Sequence, residues 1–276
     1  MISSGILLLD KPQGLTSFSA MRRVQRLLGA QKAGHTGSLD PLATGMLPIC
    51  LGEATKFAQW LLADHKTYLA TGLLGVTTST GDAWGEPLVH RDATHCTQAA
   101  IEAVLPAFRG EIEQIPPMYS ALKYQGQPLY RLARKGKTVE RMARRVCIQE
   151  LSLLQSERAS FSVRVHCSKG TYIRTLIEAI GEALGVGAHV TQLHRVSVEE
   201  FSGQSMFSID ALTALSEEAR WQCVLPMACA VKSLPRVMVN LSQRDALYQG
   251  KVISEQQDTL AEALSLWDET GRFFGV

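Results

Sequence analysis

No stretch constrains the fold more than Phe161 to Gly185, where two periodicities meet. Phe161, Val163, Val165 and Cys167 alternate with Ser162, Arg164, His166 and Ser168, the pattern of a strand with one apolar and one wet face. Gly170 then opens a helix whose Ile173, Leu176, Ile177, Ile180 and Leu184 share one side, and Gly185 stops it. Ile6 to Leu9 reads as a buried strand turned by Asp10-Lys-Pro-Gln-Gly14. Ser17 then caps a helix with Phe18, Met21, Val24, Leu27 and Leu28 inward and Arg22, Arg23 and Arg26 opposite. Tyr68 to Leu74 and Val190 to Val198 read as strands. Glu53 to Leu62, Thr97 to Phe108 and Leu129 to Lys135 read as helices, the last closed by Gly136. Gly34 to Gly52, rich in Gly, Pro, Thr and Ser, reads as one long loop, and such loops in compact domains tend to carry function. Strands and helices mix without a regular βαβ rhythm, so the expected class is α+β, not a doubly wound sheet.

A chain of 276 residues accommodates one large domain, or a catalytic domain with a small appendage. Its longest apolar runs, such as Met46 to Leu51, are too short to span a bilayer, and the N-terminus lacks the marks of a secretory signal. A cytoplasmic protein is expected. The six cysteines form no CxxC pair and read as small buried hydrophobes. His90, His95 and Cys96 lack a second ligand pair, so no metal is expected. Net charge is only +2, but its distribution is uneven. Lys123, Arg131, Arg134, Lys135, Lys137, Arg141, Arg144 and Arg145 are opposed only by Glu140, Arg22, Arg23 and Arg26 form a second cluster, and the tail after Ser254 is mainly acidic. That distribution suits a polyanion held at one face, although a solvated helix face would look similar.

The segment richest in chemistry is Gly34-His-Thr-Gly-Ser-Leu-Asp-Pro-Leu-Ala-Thr-Gly45, with the carboxylate Asp40 and, five residues earlier, His35. No second acid stands near enough in sequence to complete a glycosidase pair, no GKT or GKS makes a phosphate loop, and no GxSxG elbow appears. Spacing alone leaves a Ser-His-Asp arrangement open, and a turn-forming Asp-Pro pair is the ordinary structural alternative.

GHTGSLDPLATGMLPICLGEATKF resembles, nearly residue for residue, the catalytic segment of the bacterial tRNA pseudouridine-55 synthases, the TruB family. The resemblance continues in order through LLLDKPQGLTS, HKTYLA, QIPPMYSALKYQG, CSKGTYIRTL and GAHVTQLHR, covering roughly residues 5 to 200. It implies a pseudouridine synthase fold, a mixed, mainly antiparallel sheet flanked by helices and loops. It also implies isomerisation of a uridine in the tRNA T loop, with no cofactor because the reaction moves no electrons and gains no atoms. Asp40 would be the catalytic carboxylate, Arg174 its ion-pair partner holding its pKa down, and Tyr68 the base-stacking tyrosine and candidate proton acceptor. Tyr172 and Leu193 would line the uracil pocket, Lys11 and Pro12 support it, and His35 contact the RNA where the target nucleotide leaves its stack. Residues 120–147 correspond to an inserted arm over the T stem-loop, with Lys123, Arg131, Arg134, Lys135, Arg144 and Arg145 as phosphate contacts.

The expected organisation is a catalytic domain over 1–234 and a short, incomplete PUA-like β module over 235–276, with Val237-Met-Val-Asn-Leu and Leu247-Tyr-Gln-Gly-Lys-Val as its opening strands. A monomer acting on tRNA, with no protein or membrane partner, is expected. The other readings are an RNA-folding factor gripping the T arm, a related synthase acting on another RNA, and, more distantly, a glycosidase.

Overall fold

The computed structural model describes residues 4–62, 65–253 and 261–276. Among these, eight strands form the main sheet: Gly5–Lys11 (β1), Ala33–His35 (β2), Thr44–Leu51 (β3), Lys66–Leu74 (β4), Gly110–Gln114 (β5), Arg144–Glu157 (β6), Ser160–Cys167 (β7) and Ala188–Val198 (β8). Their order is β1-β3-β8-β4-β7-β6-β5, with β2 also paired to β3. The β3–β8 pairing is parallel and the other neighbours run antiparallel, the mixed sheet of an α+β fold.

Two helices, Ser17–Leu27 (α1) and Ile173–Ala183 (α2), cover one face. Ala20, Met21 and Val24 of α1 and Ile173, Leu176, Ile177 and Ile180 of α2 join Leu7, Leu9, Leu47, Ile49, Ala70, Val163 and Val165 in one core. Burying each of the large aliphatic side chains contributes about 2 kcal/mol. Ile6, Leu8, Met46 and Cys50 point to the other face and pack with Ala54, Leu61, Phe201, Ala230 and Val231. β1 is thus buried on both faces, whereas β7 turns the half-exposed Ser162, Arg164 and His166 outward, as its alternation predicts.

Four expectations need correction. Thr16, not Ser17, caps α1, accepting the Ser19 amide at 3.0 Å, and Phe18 is exposed while Ala20 takes the inward position. Gly34 to Gly52 is not one loop, because β2 and β3 frame a shorter one over 36–43. Pro48 is tolerated inside β3 because its carbonyl, which accepts the Thr36 amide at 3.1 Å, faces away from β1, and so does its nitrogen. The missing donor therefore falls between the short β2 and β8 pairings. Finally, Leu247–Val252 does not open a strand: Leu247 and Tyr248 end a helix, Leu241–Tyr248 (α3), capped by an Asn240–Gln243 box.

Around α3, Arg236–Val239 (β9), Ser265–Asp268 (β10) and Phe273–Gly275 (β11) make a three-stranded sheet. Part of the acidic tail, residues 254–260, lies outside the described residues. Phe273 ties this unit to the main body, its ring centroid 5.5 Å from that of Phe57 and 5.5 Å from that of Trp267. Among the described residues no helix is long and apolar enough to cross a membrane.

Gly45 stands where β3 meets β8, paired with Arg195 at φ +97°. A Cβ there would collide with the Arg195 carbonyl oxygen and lie 2.9 Å from its amide nitrogen. Gly45→Ala is expected to cost about 3 kcal/mol or more, from the left-handed backbone and the clash together. Urea unfolding measures it, and an unchanged midpoint would contradict this packing.

Candidate active site

The loop over 36–43 is pinned from three sides before any chemistry is considered. Ser17 Oγ accepts the Leu39 amide at 2.7 Å and donates to the Leu39 carbonyl at 3.0 Å. The Gly14 amide donates to the Pro41 carbonyl at 2.8 Å, and the Ala43 amide to the Asp40 carbonyl at 3.0 Å. The turn after β1 and the start of α1 therefore hold the backbone on which Asp40 stands. The buried Ser17 is an anchor of that loop, a role its position beside the cap concealed.

Asp40 Oδ2 lies 2.8 Å from Arg174 Nε, the pair expected from the sequence. The guanidinium spends its other ends on carbonyls, Nη1 on Thr80 at 2.6 Å and Nη2 on Tyr119 at 2.7 Å. Its side chain is only 4% exposed, against 37% for Asp40. The acid is open to an incoming molecule and the arginine is not. The expectation that Arg174 depresses the Asp40 pKa holds only as one contribution. Burial is the larger influence and raises the carboxyl above its ordinary range, against Arg174 and Lys11 and with help from the Asp82 charge. Asp82 was not foreseen. It is buried, accepts from Thr80 Oγ1 at 2.6 Å and from the Trp84 amide at 3.0 Å, and so fixes the loop that meets Arg174.

Tyr68 is buried in the core on β4, directly opposite Val165 and Arg195 on the flanking strands. Burial raises its phenol pKa, with the Arg195 charge acting against that. Leu193, opposite Ala70, lies two residues before Arg195 and so on the same face of β8. Tyr172 precedes α2, and Gln114 clamps its backbone, accepting its amide at 3.0 Å and donating to its carbonyl at 3.3 Å. Burial raises the Tyr172 phenol, against the nearby Ser120 hydroxyl, Arg144 and Arg174.

Lys11 is fully buried. Its ammonium donates to the carbonyls of Pro12 at 2.9 Å and Leu15 at 2.8 Å, bracing the turn under the loop without reaching its surface. Burial pushes its pKa down to about 8, the Asp40 charge opposing this and Arg195 adding to it. His35 ends β2, and its buried Nδ1 has no hydrogen-bond partner among the described residues. Burial, then the Arg195 charge, lowers its pKa, so the ring is neutral at pH 7.

Lys123, Arg131, Arg134, Lys135, Arg144 and Arg145 are all exposed. They follow a two-stranded hairpin (Lys123–Tyr124 with Gln127–Pro128), the helix Leu129–Ala133 and the start of β6. Both ends of this basic stretch reach the site, through the Tyr119 carbonyl on Arg174 and through Arg144 beside Tyr172.

Arg195, also unforeseen, is 1% exposed. Its Nε donates to the Met46 carbonyl at 2.6 Å and its Nη2 to the Gly37 carbonyl at 2.9 Å. The arrangement as a whole is an accessible carboxylate on a rigid loop, held by a dry guanidinium and lined by two tyrosines beside a basic surface. It can present negative charge to a sugar or base and stack a ring against it.

Known proteins resemble the chain along its whole length. Residues 25–173 match the family model for the N-terminal domain of TruB family pseudouridylate synthases, and residues 174–232 match that for the tRNA pseudouridylate synthase B C-terminal domain. The tRNA pseudouridine synthase B of Coxiella burnetii (strain Dugway 5J108-111) is 48% identical over 276 residues, covering 99% of this chain and 89% of that protein. Its counterpart from Legionella pneumophila (strain Philadelphia 1) is 46% identical over 273 residues, covering 99% and 90%. Among solved structures, a chain of a Cbf5-Nop10-Gar1 complex superposes with a TM-score of 0.73 at 28% identity, covering 99% of this chain and 77% of that one. The chain belongs to the TruB family of pseudouridylate synthases.

Proposed function

We propose that this chain isomerises uridine to pseudouridine in tRNA, at position 55 of the T loop, with Asp40 as the catalytic carboxylate. The observation that carries the reading is the Asp40–Arg174 pair, a half-exposed acid oriented at 2.8 Å by an almost fully buried base. The relatives named tRNA pseudouridine synthase B support tRNA as the substrate.

The reaction breaks the N1–C1′ bond, turns the uracil within the site, joins C5 to C1′, and moves the C5 proton out while N1 regains one. Ionised Asp40 serves each of the three routes open to it: attack at C1′, addition at C6, or removal of the C2′ proton. Tyr68 stacks on the base and relays the proton, its phenol oxygen taking one as its own hydroxyl proton is passed on. Tyr172 and Leu193 retain the freed uracil, and Lys11 braces the floor from beneath. His35, at the edge of the loop, contacts RNA where the target nucleotide has left its stack. Residues 235–276 act as a PUA-like module beside a catalytic domain over 1–234, in a monomeric cytoplasmic enzyme.

Incubation of the purified protein with an unmodified tRNA transcript, followed by adduct formation and primer extension, tests this. A new stop at the T-loop uridine is expected. Tight tRNA binding without any stop would overturn the tRNA-isomerase reading in favour of the RNA-folding one.

The basic stretch yields a separate expectation. Because the exposed arginines and lysines would neutralise phosphates and release counterions, tRNA affinity should fall linearly with salt on logarithmic axes. Arg134→Ala with Lys135→Ala should reduce that slope by about 1 to 2 and weaken binding of different tRNAs alike. Filter binding across a salt series reads it, and an unaltered slope removes these side chains from the interface.

A further inference from the structure

We propose that Arg195 is a positioning residue for the isomerisation, its guanidinium clasping both ends of the Asp40 loop and setting a buried positive charge beside Tyr68. The inference rests on the functional reading above and extends it to a residue that touches neither base nor sugar.

The clasp is geometric. Nη2 holds the Gly37 carbonyl at 2.9 Å, three residues before Asp40, and Nε holds the Met46 carbonyl at 2.6 Å, six residues after it. A Cβ at Gly37 would stand only 3.3 Å from Nη1, so the loop backbone rests directly on the guanidinium. Across the β8–β4 ladder Arg195 is the direct partner of Tyr68, which places the two side chains on one face about 5 Å apart at Cβ. One side chain thereby fixes the spacing between the carboxylate loop and the tyrosine.

Its electrostatics are unusual for a structural arginine. Among the described residues no carboxylate pairs with Arg195, although it is 1% exposed. The buried Lys11 ammonium feels the Arg195 charge as a second positive charge in the same neighbourhood, with Asp40 acting on Lys11 in the opposite sense. A dry guanidinium without an anion costs more than an apolar side chain of similar size. Stability alone would favour methionine at this position. What methionine would lack is the fork that spans two carbonyls and the charge beside the phenol, the atom proposed to take a proton.

The test compares wild type, Arg195→Lys and Arg195→Met in single-turnover pseudouridine formation at saturating enzyme, with tRNA affinity and melting temperature measured alongside. Lysine keeps the charge but cannot span both carbonyls, and a slip of about 1 Å in the loop costs about 10²-fold in rate. The methionine variant, losing fork and charge, should fall by about 10³-fold or more. Both should bind tRNA within about threefold of wild type, because no phosphate reaches Arg195. Saturating rates equal to wild type in both variants overturn the inference. So does a loss confined to melting temperature and affinity, with the rate per bound complex unchanged, which is the behaviour of a merely structural residue. Should the methionine variant not fold, the lysine variant decides the question by the same readout. A wild type that forms no pseudouridine overturns the functional reading, and the inference with it.

Discussion

Asp40→Asn is expected to abolish pseudouridine formation, by at least about 10⁴-fold in single-turnover rate, the scale on which enzymes lose a reacting group. Asparagine keeps the shape and can still accept from Arg174 Nε through its amide oxygen, so the pinned loop should survive. It cannot ionise, and each of the three routes begins with the carboxylate. Binding of tRNA should change little, since Asp40 contributes no positive charge. A variant that still turns over would move the chemistry elsewhere. The pH profile offers a second check on the same group. Burial raises the Asp40 pKa, so the active ionised form is lost as pH falls through a value above the ordinary carboxylate range. The acid limb of the wild-type profile should therefore lie above about pH 4. The stability linkage has the opposite sense: a folded-state pKa raised above the unfolded one means that ionising Asp40 weakens the fold as pH rises. Removing the ionisable group should thus leave the melting temperature unchanged or higher at neutral pH, while activity vanishes.

Arg174→Met should damage both stability and rate. The guanidinium satisfies Asp40 and the carbonyls of Thr80 and Tyr119 at once, at 2.6 to 2.8 Å. Removing the guanidinium should cost about 2 to 3 kcal/mol, below the cost for a fully buried pair, because two carbonyls lose their donor while water reaching the 37% exposed Asp40 takes up part of its loss. Calorimetry or urea unfolding measures that loss. The rate should fall by about 10³-fold, from a carboxylate both misoriented and harder to ionise. Since Arg174 opposes the rise in the Asp40 pKa, its removal should move the acid limb upward. Arg174→Lys should rescue little, because an ammonium cannot meet three acceptors in one plane. Near-wild-type stability in the methionine variant would show that the fork contributes little to the fold.

Helix α2 and strand β7 were legible because each keeps one period from end to end. The same criterion failed for β6. Val146 and Ile148 are buried in phase, but a register shift between Ile148 and Glu150 puts Leu151 on the buried side, so no single alternation runs through the strand. Gly and Pro made β3 look like loop, although Gly45 serves a crowded strand crossing and Pro48 turns its missing donor into a gap between partners. The ion pair between residues 40 and 174 was anticipated through family resemblance alone, since no local pattern relates them. Arg195 went unremarked for a comparable reason. His194 and Arg195 are adjacent polar residues, and which of them faces the core depends on strands 125 to 150 residues away.

The parallel seam between β3 and β8 also has a consequence in time. Thr44 Oγ1 meets His194 Nδ1 across 150 residues of chain, and Arg195 reaches Met46 across 149. A ribosome adding about 5 to 20 residues per second delivers that interval in about 8 to 30 seconds. Until then the Asp40 loop exists without its clasp, and a nascent chain that has made most of its residues still lacks a finished centre. Catalytic competence thus arrives late and all at once, as the last long-range strand joins the middle of the sheet.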